Sequence, residues 1–451
     1  MNFIKKYFSL SILIFSFLLL VYIFYRSEIH WRGIKRDYYL PYYIIASTLI
    51  LFSIFTFFIN LKIKEYLIIS IIASIISIYL FEGYLTLKIY LPKKKLLKER
   101  IFQRNLYEKQ TGIKWDRRTR LEIYEDLKMI NSEIVVNITP SHYIYKKQSQ
   151  SILPLSGISN SETIACNENG YYSIIKSDRY GFNNPDVEWD KKEIEYLLVG
   201  DSFTYGECVN RPYDIASVLR DLSNKPVLNL GQSDNGPLLE YATLREYLDK
   251  NVKNVLWIYY ERNDLRDLKK EKKNRILNNY LNDLNYKQNL KFKQNEINKL
   301  GLNLIIEKKI DKKKKNKRKK IKIFRINLIK FIKMYNSRSL IFTSQKPLTL
   351  LVPEFTKIIK LTKELVEKNN SKLYFIYLPE RGRYETSYDN TNYNLIKDAV
   401  LELNIPFIDI HNKIFKKEQN PLELFPFVKH GHYNIDGYKK VAEEIYKFTK
   451  N

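Results

Sequence analysis

A serine that ends one apolar run and a histidine near the C-terminus are the residues best suited to nucleophilic chemistry. Ser202 lies in EYLLVGDSFTYGECVN, 195–210, where the apolar run stops at Gly-Asp-Ser. A serine hydroxyl is a useful nucleophile only when a neighbouring base removes its proton. We predict His432 as that base, because it lies in a loop before the last helical stretch, whereas His142 and His411 fit structural positions.

Ester or amide chemistry also requires donors for the negative oxygen of the tetrahedral intermediate. Gly231, in NLGQSDNGP, offers a backbone N–H with no Cβ to obstruct a substrate. Asn263, in YYERNDLRDL, offers a side-chain amide, and the N–H of Ser202 is a third donor. Each of these residues ends or follows a predicted strand. Since ligands gather at the carboxyl ends of parallel strands, we expect them at one edge of a sheet.

The elements that must position these residues alternate regularly along the second half of the chain. Apolar runs typical of buried strands are followed by amphipathic stretches, a pattern that indicates a parallel α/β sheet covered on both faces. The predicted strands are 195–200, 226–231, 254–260, 372–378 and 406–410. The predicted helices are 213–222, 237–249, 357–369, 391–403 and 436–449.

Three uncharged runs, at 8–25, 38–61 and 66–81, predict three transmembrane helices in the first 92 residues. A hydrocarbon core of about 30 Å needs about 20 apolar residues, so these runs are long enough, the third with some extension. We therefore divide the chain into a membrane domain (1–92), an accessory segment (93–190) and a catalytic-type domain (191–451) with an insertion at about 265–345.

The formal net charge of +27 is concentrated in that insertion, where residues 266–338 hold 25 Lys or Arg and 6 Asp or Glu. A nucleic-acid enzyme would spread its charge over a groove with interleaved aromatics, so we expect no nucleic-acid partner. The run KKIDKKKKNKRKKIK, 308–322, is either a solvated helical excursion or a basic flap that contacts anionic lipid or acidic glycan.

The order of the candidate residues resembles the SGNH hydrolase (GDSL-type esterase) superfamily over about 190–451. The matching pieces are Gly-Asp-Ser ending at Ser202, then Gly231, Asn263 followed by aspartate, and His432. The loop SDRYGFNNPD resembles the approach loop of membrane-anchored bacterial members. The resemblance implies a flavodoxin-like three-layer α/β/α sandwich, a serine nucleophile, a histidine base and those three oxyanion donors. No cofactor or metal site is expected.

One position departs from the family's pattern. The family commonly has an aspartate three residues before the histidine, and here that residue is Lys429. Three alternatives remain for His432: a backbone carbonyl orients it, a distant acid such as Asp409 or Asp436 orients it, or no group does. A Ser–His dyad would still hydrolyse esters more slowly, and loss of the orienting acid would also fit a non-catalytic member.

Membrane-anchored relatives mostly act on cell-envelope glycans, which implies an ester hydrolase of O-acyl, for example acetyl, groups on a glycan or lipid. The alternatives are an O-acyltransferase that works with a membrane acyl-donor protein, or an inactive scaffold in polysaccharide assembly. The resemblance implies an integral protein of the bacterial plasma membrane with an extracytoplasmic domain. The flanking charges, four inside against nine outside, favour the opposite orientation. Cys166 and Cys208 either pair in an oxidising compartment or are free thiols.

Overall fold

The computed structural model describes residues 2–33, 36–144, 151–248, 251–316, 319–342, 348–385, 388–428 and 431–450. The chain forms two compact units, one of Met1–Ile101 with Lys315–Lys346 and one of Phe102–Lys314 with Pro347–Asn451. The strands are β1 (Ile134–Val136), β2 (Glu162–Ile164), β3 (Ile174–Lys176), β4 (Glu193–Gly200), β5 (Val227–Asn229), β6 (Asn251–Tyr260), β7 (Lys372–Leu378) and β8 (Phe407–Asp409). The α-helices are α1 (Asn2–Phe24), α2 (Arg36–Thr56), α3 (Leu61–Thr111), α4 (Arg120–Lys128), α5 (Ser141–Ile144), α6 (Ser202–Tyr205), α7 (Ile215–Ser223), α8 (Pro237–Tyr247), α9 (Asp264–Glu271), α10 (Arg275–Asn282), α11 (Gln294–Asn316), α12 (Lys319–Ile332), α13 (Tyr335–Phe342), α14 (Val352–Lys368), α15 (Thr391–Glu402), α16 (Ile410–Lys413) and α17 (Ile435–Lys450).

The first unit contains the three apolar segments expected from the sequence. Lys5–His30, Tyr38–Thr56 and Leu61–Ile89 are helical, long and apolar enough to cross a membrane, with mean hydropathies of 2.4, 1.6 and 1.9. The prediction of three membrane-spanning helices is confirmed at this level, and the first and third segments extend beyond 8–25 and 66–81.

Part of the basic insertion, α12 and α13, belongs to this first unit, whereas α11 begins in the second. Within the first unit the fully buried carboxylate of Glu82 accepts hydrogen bonds from the backbone N–H of Asn336 at 3.0 Å and of Ser337 at 2.7 Å. These N–H groups lie in the first turn of α13, where a helix leaves its donors unpaired. The insertion thus satisfies an acid that an apolar helix would otherwise bury without partners.

The second unit is built on a five-stranded, wholly parallel sheet with the order β5-β4-β6-β7-β8. Alternate residues of each strand point to opposite faces. Leu197 and Val255 are in register and pack in the core under α8 and α14, whereas Leu198 and Leu256 are in register and pack in the core under α7 and α17. The predicted three-layer α/β fold with a parallel sheet is therefore confirmed, in the flavodoxin-like strand order.

The predicted strands agree with the observed ones in place and differ at their ends. The strand 372–378 is observed to the residue, because all of it after Lys372 is buried and it is paired on both sides. The strand 226–231 is shorter, since it ends at Asn229, whose side-chain oxygen takes the hydrogen bond of the Gly231 N–H. The strand 406–410 ends at Asp409, which caps the short helix α16.

A small second sheet lies in the accessory segment of the same unit, with the order β1-β2-β3. Strands β1 and β2 are parallel, and β2 and β3 are antiparallel. Beyond the strands the pairing continues through the N–H of Ser173, which donates to the carbonyl of Cys166 at 2.9 Å. The loop between them, residues 167–172, is therefore the tip of a β-hairpin.

Candidate active site

Ser202 occupies a tight strand-to-helix turn at the carboxyl end of β4. Asp201 is the N-cap of α6, and its Oδ1 accepts the N–H of Phe203 at 2.9 Å, which explains the aspartate of the Gly-Asp-Ser sequence. At Gly200 an added Cβ would lie 2.1 Å from Thr204 Oγ1, so only glycine allows the chain to turn so closely. Ser202 is the first residue of the helix, and its hydroxyl stays partly exposed.

His432 lies in the loop before α17, and its neighbours hold that loop rigidly. Tyr433 is fully buried and donates its hydroxyl proton to the carbonyl of Pro379 at 2.8 Å. Asn434 Oδ1 accepts the N–H of Gly437 at 2.9 Å and so caps the start of the final helix. Two anchors on the C-terminal side of the histidine therefore fix its backbone.

The structure brings the predicted nucleophile and base together. His432 Nε2 lies 3.0 Å from Ser202 Oγ, a hydrogen-bond distance across 230 residues of sequence. Phe203 packs against the imidazole with ring centroids 5.0 Å apart, which limits rotation of the ring. A base within this distance of the hydroxyl meets the geometric requirement for activating a serine.

The other side of the imidazole faces a carboxylate that the sequence analysis missed. Glu168 Oε2 accepts the backbone N–H of His432 at 3.0 Å, and Glu168 Oε1 lies 3.3 Å from Nδ1. Burial lowers the pKa of His432, but the charge and hydrogen bond of Glu168, with the charges of Glu207 and Asp201, raise it to about 9. A sequence signal existed, since Glu168 lies two residues after Cys166, and pairing of that cysteine with Cys208 would bring it near Ser202.

The acids considered from the sequence lie elsewhere. Asp409 Oδ1 accepts the N–H of Asn412 at 3.0 Å, and Asp436 is exposed in the first turn of α17. Lys429 lies outside the described residues. His411 bonds to the hydroxyl of Tyr384 at 2.8 Å, in keeping with a structural role.

Two of the three predicted oxyanion donors are already engaged with other residues. The N–H of Gly231 donates to Asn229 Oδ1 at 2.8 Å, and the amide of Asn263 donates to Asp267 Oδ2 at 2.8 Å and to Asp201 Oδ2 at 3.4 Å. No described residue accepts the N–H of Ser202. Binding of an oxyanion would therefore use the Ser202 N–H directly and require the Asn263 amide to exchange partners.

Glycine at position 231 has a packing reason of its own. An added Cβ would lie 2.6 Å from both Thr204 Cβ and the backbone N of Tyr205, so the loop after β5 fits directly against α6. From the sequence, Gly231 was expected to leave room for a substrate to approach its backbone N–H. In the structure it provides close packing behind the serine turn.

The loop SDRYGFNNPD, residues 177–186, packs against the turn that carries Ser202 and stabilises it. Asn183 donates to the carbonyl of Tyr205 at 2.8 Å, and Asn184 donates to the carbonyl of Asn229 at 3.0 Å. The fully buried Asp178 accepts the indole N–H of Trp189 at 2.7 Å and so fixes the loop. One loop therefore holds both α6 and the end of β5.

Cys166 and Cys208 form a disulfide, and Cys208 Sγ lies 3.4 Å from His432 Nδ1. With Glu168 and His432, the two sulfurs form a group of four potential metal-ligand atoms, all within 4.8 Å of one another. Metal binding needs thiolates, however, and sulfurs joined in a disulfide are not thiolates. The group does not fit a metal ion in this state.

A cavity of about 210 Å³ lies between α9 and the accessory segment, next to Asp267, which accepts a hydrogen bond from the Asn263 amide. Its walls carry a hydroxyl, an amine and three carboxylates, groups that can pair with the hydroxyls of a sugar. The lining residues are Ser141, Ile144, Asp234, Asp267, Lys270 and Glu271.

No family model matches the sequence, and no curated protein sequence matches it. Among solved structures, the fold is similar to a protein described as lipolytic, of the G-D-S-L family, from Desulfitobacterium hafniense DCB-2, with 15% identity and a TM-score of 0.31 over 57% of this chain and 99% of that one. It is also similar to an acetyl xylan esterase, with 13% identity and a TM-score of 0.32 over 56% of this chain and 99% of that one. These values are too low to assign a function, which rests on the geometry of the site.

Proposed function

We propose that the chain is an ester hydrolase with Ser202 as nucleophile and His432 as general base. Ser202 Oγ attacks the acyl carbonyl while His432 Nε2 takes its proton, and the Ser202 N–H stabilises the oxyanion. His432 then returns the proton to the leaving alcohol, and water, activated by the same imidazole, releases the acyl group. The observation that carries this proposal is the 3.0 Å distance between Nε2 and Oγ.

The substrate we propose is an O-acyl group, acetyl among them, on a cell-envelope glycan or lipid. The cavity next to Asp267 supports a hydroxylated ligand, because its lining includes the Ser141 hydroxyl, the Lys270 amine and the Asp234 carboxylate. The three apolar helices support a site held at a membrane, which in a bacterium would be the plasma membrane. The disulfide supports an extracytoplasmic domain, since disulfides persist in oxidising compartments.

A serine-reactive fluorophosphonate probe tests the nucleophile on the full chain in mild detergent. We expect labelling of the wild type and its loss in Ser202→Ala. Ser223→Ala, which removes a hydroxyl on α7 that bonds the carbonyl of Leu219, is the matched control and should label normally. Equal labelling of Ser202→Ala and wild type would show that another residue is the nucleophile and contradict the proposal, and no labelling of either would leave the inactive scaffold.

Product analysis separates hydrolysis from transfer. With an acetylated oligosaccharide and water alone, a hydrolase releases free acetate. If acetate appears only on an added acceptor glycan, and only with a separate acyl-donor protein, the acyltransferase alternative holds instead.

A reporter fused after the C-terminus tests the location. A fusion to alkaline phosphatase, which is active only outside the cytoplasm, should show phosphatase activity. A separate fusion to green fluorescent protein, which fluoresces in the cytoplasm, should show no fluorescence. The reverse pattern would place the site in the cytoplasm and exclude an outer glycan as substrate.

A further inference from the structure

We propose that Glu168 is the positioning residue of His432, in place of the aspartate that this chain lacks, and that the Cys166–Cys208 disulfide holds it there. The proposal rests on the proposed function, because it assigns an orienting group to the same base. It makes the active site depend on the accessory segment, which lies outside the α/β sandwich.

The contacts of Glu168 are those an orienting acid requires. One carboxylate oxygen lies 3.3 Å from His432 Nδ1, and the other accepts the backbone N–H of the same residue at 3.0 Å. A carboxylate at Nδ1 keeps the ring proton on that nitrogen and leaves the Nε2 lone pair facing the hydroxyl of Ser202. It also stabilises the imidazolium that forms when the hydroxyl proton is taken.

The other acids near the imidazole are committed to different partners. Glu207 Oε1 lies 3.7 Å from the guanidinium of Arg120. Asp201 Oδ1 caps α6 through the N–H of Phe203. Both contribute charge near His432, whereas Glu168 also places a carboxylate oxygen 3.3 Å from Nδ1.

Glu168 reaches the site because its hairpin loop is tied to the loop after Ser202. The disulfide joins Cys166, at the base of the hairpin tip, to Cys208, which follows α6. Asn169 adds a second tie, with Nδ2 donating to the carbonyl of Cys208 at 2.8 Å. Glu168 lies between these two attachment points, so its backbone has little freedom to move away from His432.

Substitution of the carboxylate tests the positioning role in the full chain, with hydrolysis of an acetyl ester as the assay. Glu168→Gln keeps the shape and removes the charge, and we expect kcat to fall by about 10² to 10⁴ with KM within about twofold. The acid limb of its pH profile should also move to lower pH, which a purely structural role would not cause. Glu168→Asp should retain an intermediate kcat, because the charge stays but the reach is shorter.

The matched control is Glu162→Gln, in β2 of the same small sheet. Its carboxylate bonds Asn131 at 2.9 Å, so the substitution changes the sheet without touching His432. It should leave kcat and the pH profile unchanged. A wild-type kcat and pH profile in Glu168→Gln would overturn the proposal, whereas unchanged hydrolysis in Ser202→Ala would overturn the proposed function itself.

The paired substitution Cys166→Ser with Cys208→Ser tests the tether. We expect kcat to fall by about tenfold or more, and Glu168→Gln to cause a smaller further loss in this background than in the wild type, since the two changes act on one interaction. Circular dichroism and thermal melting separate this effect from loss of the fold. A wild-type kcat in a folded double variant would contradict the role of the disulfide. Purified active protein that carries two free thiols, or one equivalent of bound zinc, would contradict it as well.

Discussion

The raised pKa of His432 predicts a steep dependence of hydrolysis on pH. Only the neutral imidazole can accept the proton of Ser202, so activity should fall as pH falls through the pKa of His432. The carboxylates around the ring raise that pKa from 6.5 to about 9, although burial opposes them. With a pKa of about 9, the neutral fraction is about 1 in 100 at pH 7 and one-half at pH 9, so kcat/KM should rise roughly 50-fold.

The charge of Asp201, which already contributes to that pKa, itself changes within the same pH range. Burial raises its pKa to about 7, so it becomes negatively charged as pH rises above neutral. A new negative charge near His432 favours the imidazolium and delays its deprotonation. The rise in kcat/KM should therefore extend over a wider pH range than the titration of one isolated group.

The measurement is the initial rate of acetyl ester hydrolysis by the full chain in detergent, from pH 6 to pH 10 at constant ionic strength. Spontaneous hydrolysis also rises with hydroxide, so the rate with Ser202→Ala is subtracted at each pH. Far-UV circular dichroism at each pH shows that the chain stays folded. A kcat/KM that reaches its plateau by pH 7 and stays flat to pH 9 would refute the reasoning, because the carboxylates would then not be stabilising the imidazolium.

Two stability predictions follow from buried charges in the sandwich, both measured by denaturant unfolding in detergent. Arg383 and Glu261 form an ion pair at 2.6 Å, and their side chains are 6% and 1% exposed. Arg383→Ala leaves Glu261 buried without this partner and should lower the free energy of unfolding by about 3–5 kcal/mol. Lys439→Ala, in an exposed ion pair on α17, should lower it by under about 1 kcal/mol. Burial raises the pKa of Glu240 well above its ordinary value, and neither of its oxygens has a hydrogen-bond partner in the described part of the chain. The folded state therefore keeps a proton on Glu240 that the unfolded state loses above about pH 4.5. The free energy of unfolding should then fall with rising pH by up to about 1.4 kcal/mol per pH unit. Glu240→Gln should make that slope less steep, and an unchanged slope would contradict the prediction.

The sequence was sufficient for the architecture of the sandwich because that architecture depends on local patterns. The largely apolar run 372–378, flanked by amphipathic stretches, indicated a buried strand, and β7 has those bounds. The long uncharged runs near the N-terminus likewise predicted the three apolar helices. Strand ends were less predictable: β5 ends at Asn229, while backbone hydrogen bonds to β4 continue through the N–H groups of Leu230 and Gln232.

The same contrast applies to the site. Ser202 was predicted from its place at the end of a strand and His432 from its place in the loop before the last helix, and the structure brings the two side chains into contact. The division of the basic insertion between two units had no local signal. Neither did the engagement of the Gly231 N–H by a side chain two residues earlier.

The sequence by itself determined the parallel sandwich, the apolar helices and the pair Ser202 and His432, because periodicity and chain order encode them. Only the tertiary structure decided which carboxylate faces the base. Glu168 is 264 residues from His432, on a hairpin of a different sheet, and a disulfide brings it into contact. The distance from Glu168 to His432 depends on how two separately formed sheets pack, and in the sequence only the position of Glu168 two residues after Cys166 pointed to it.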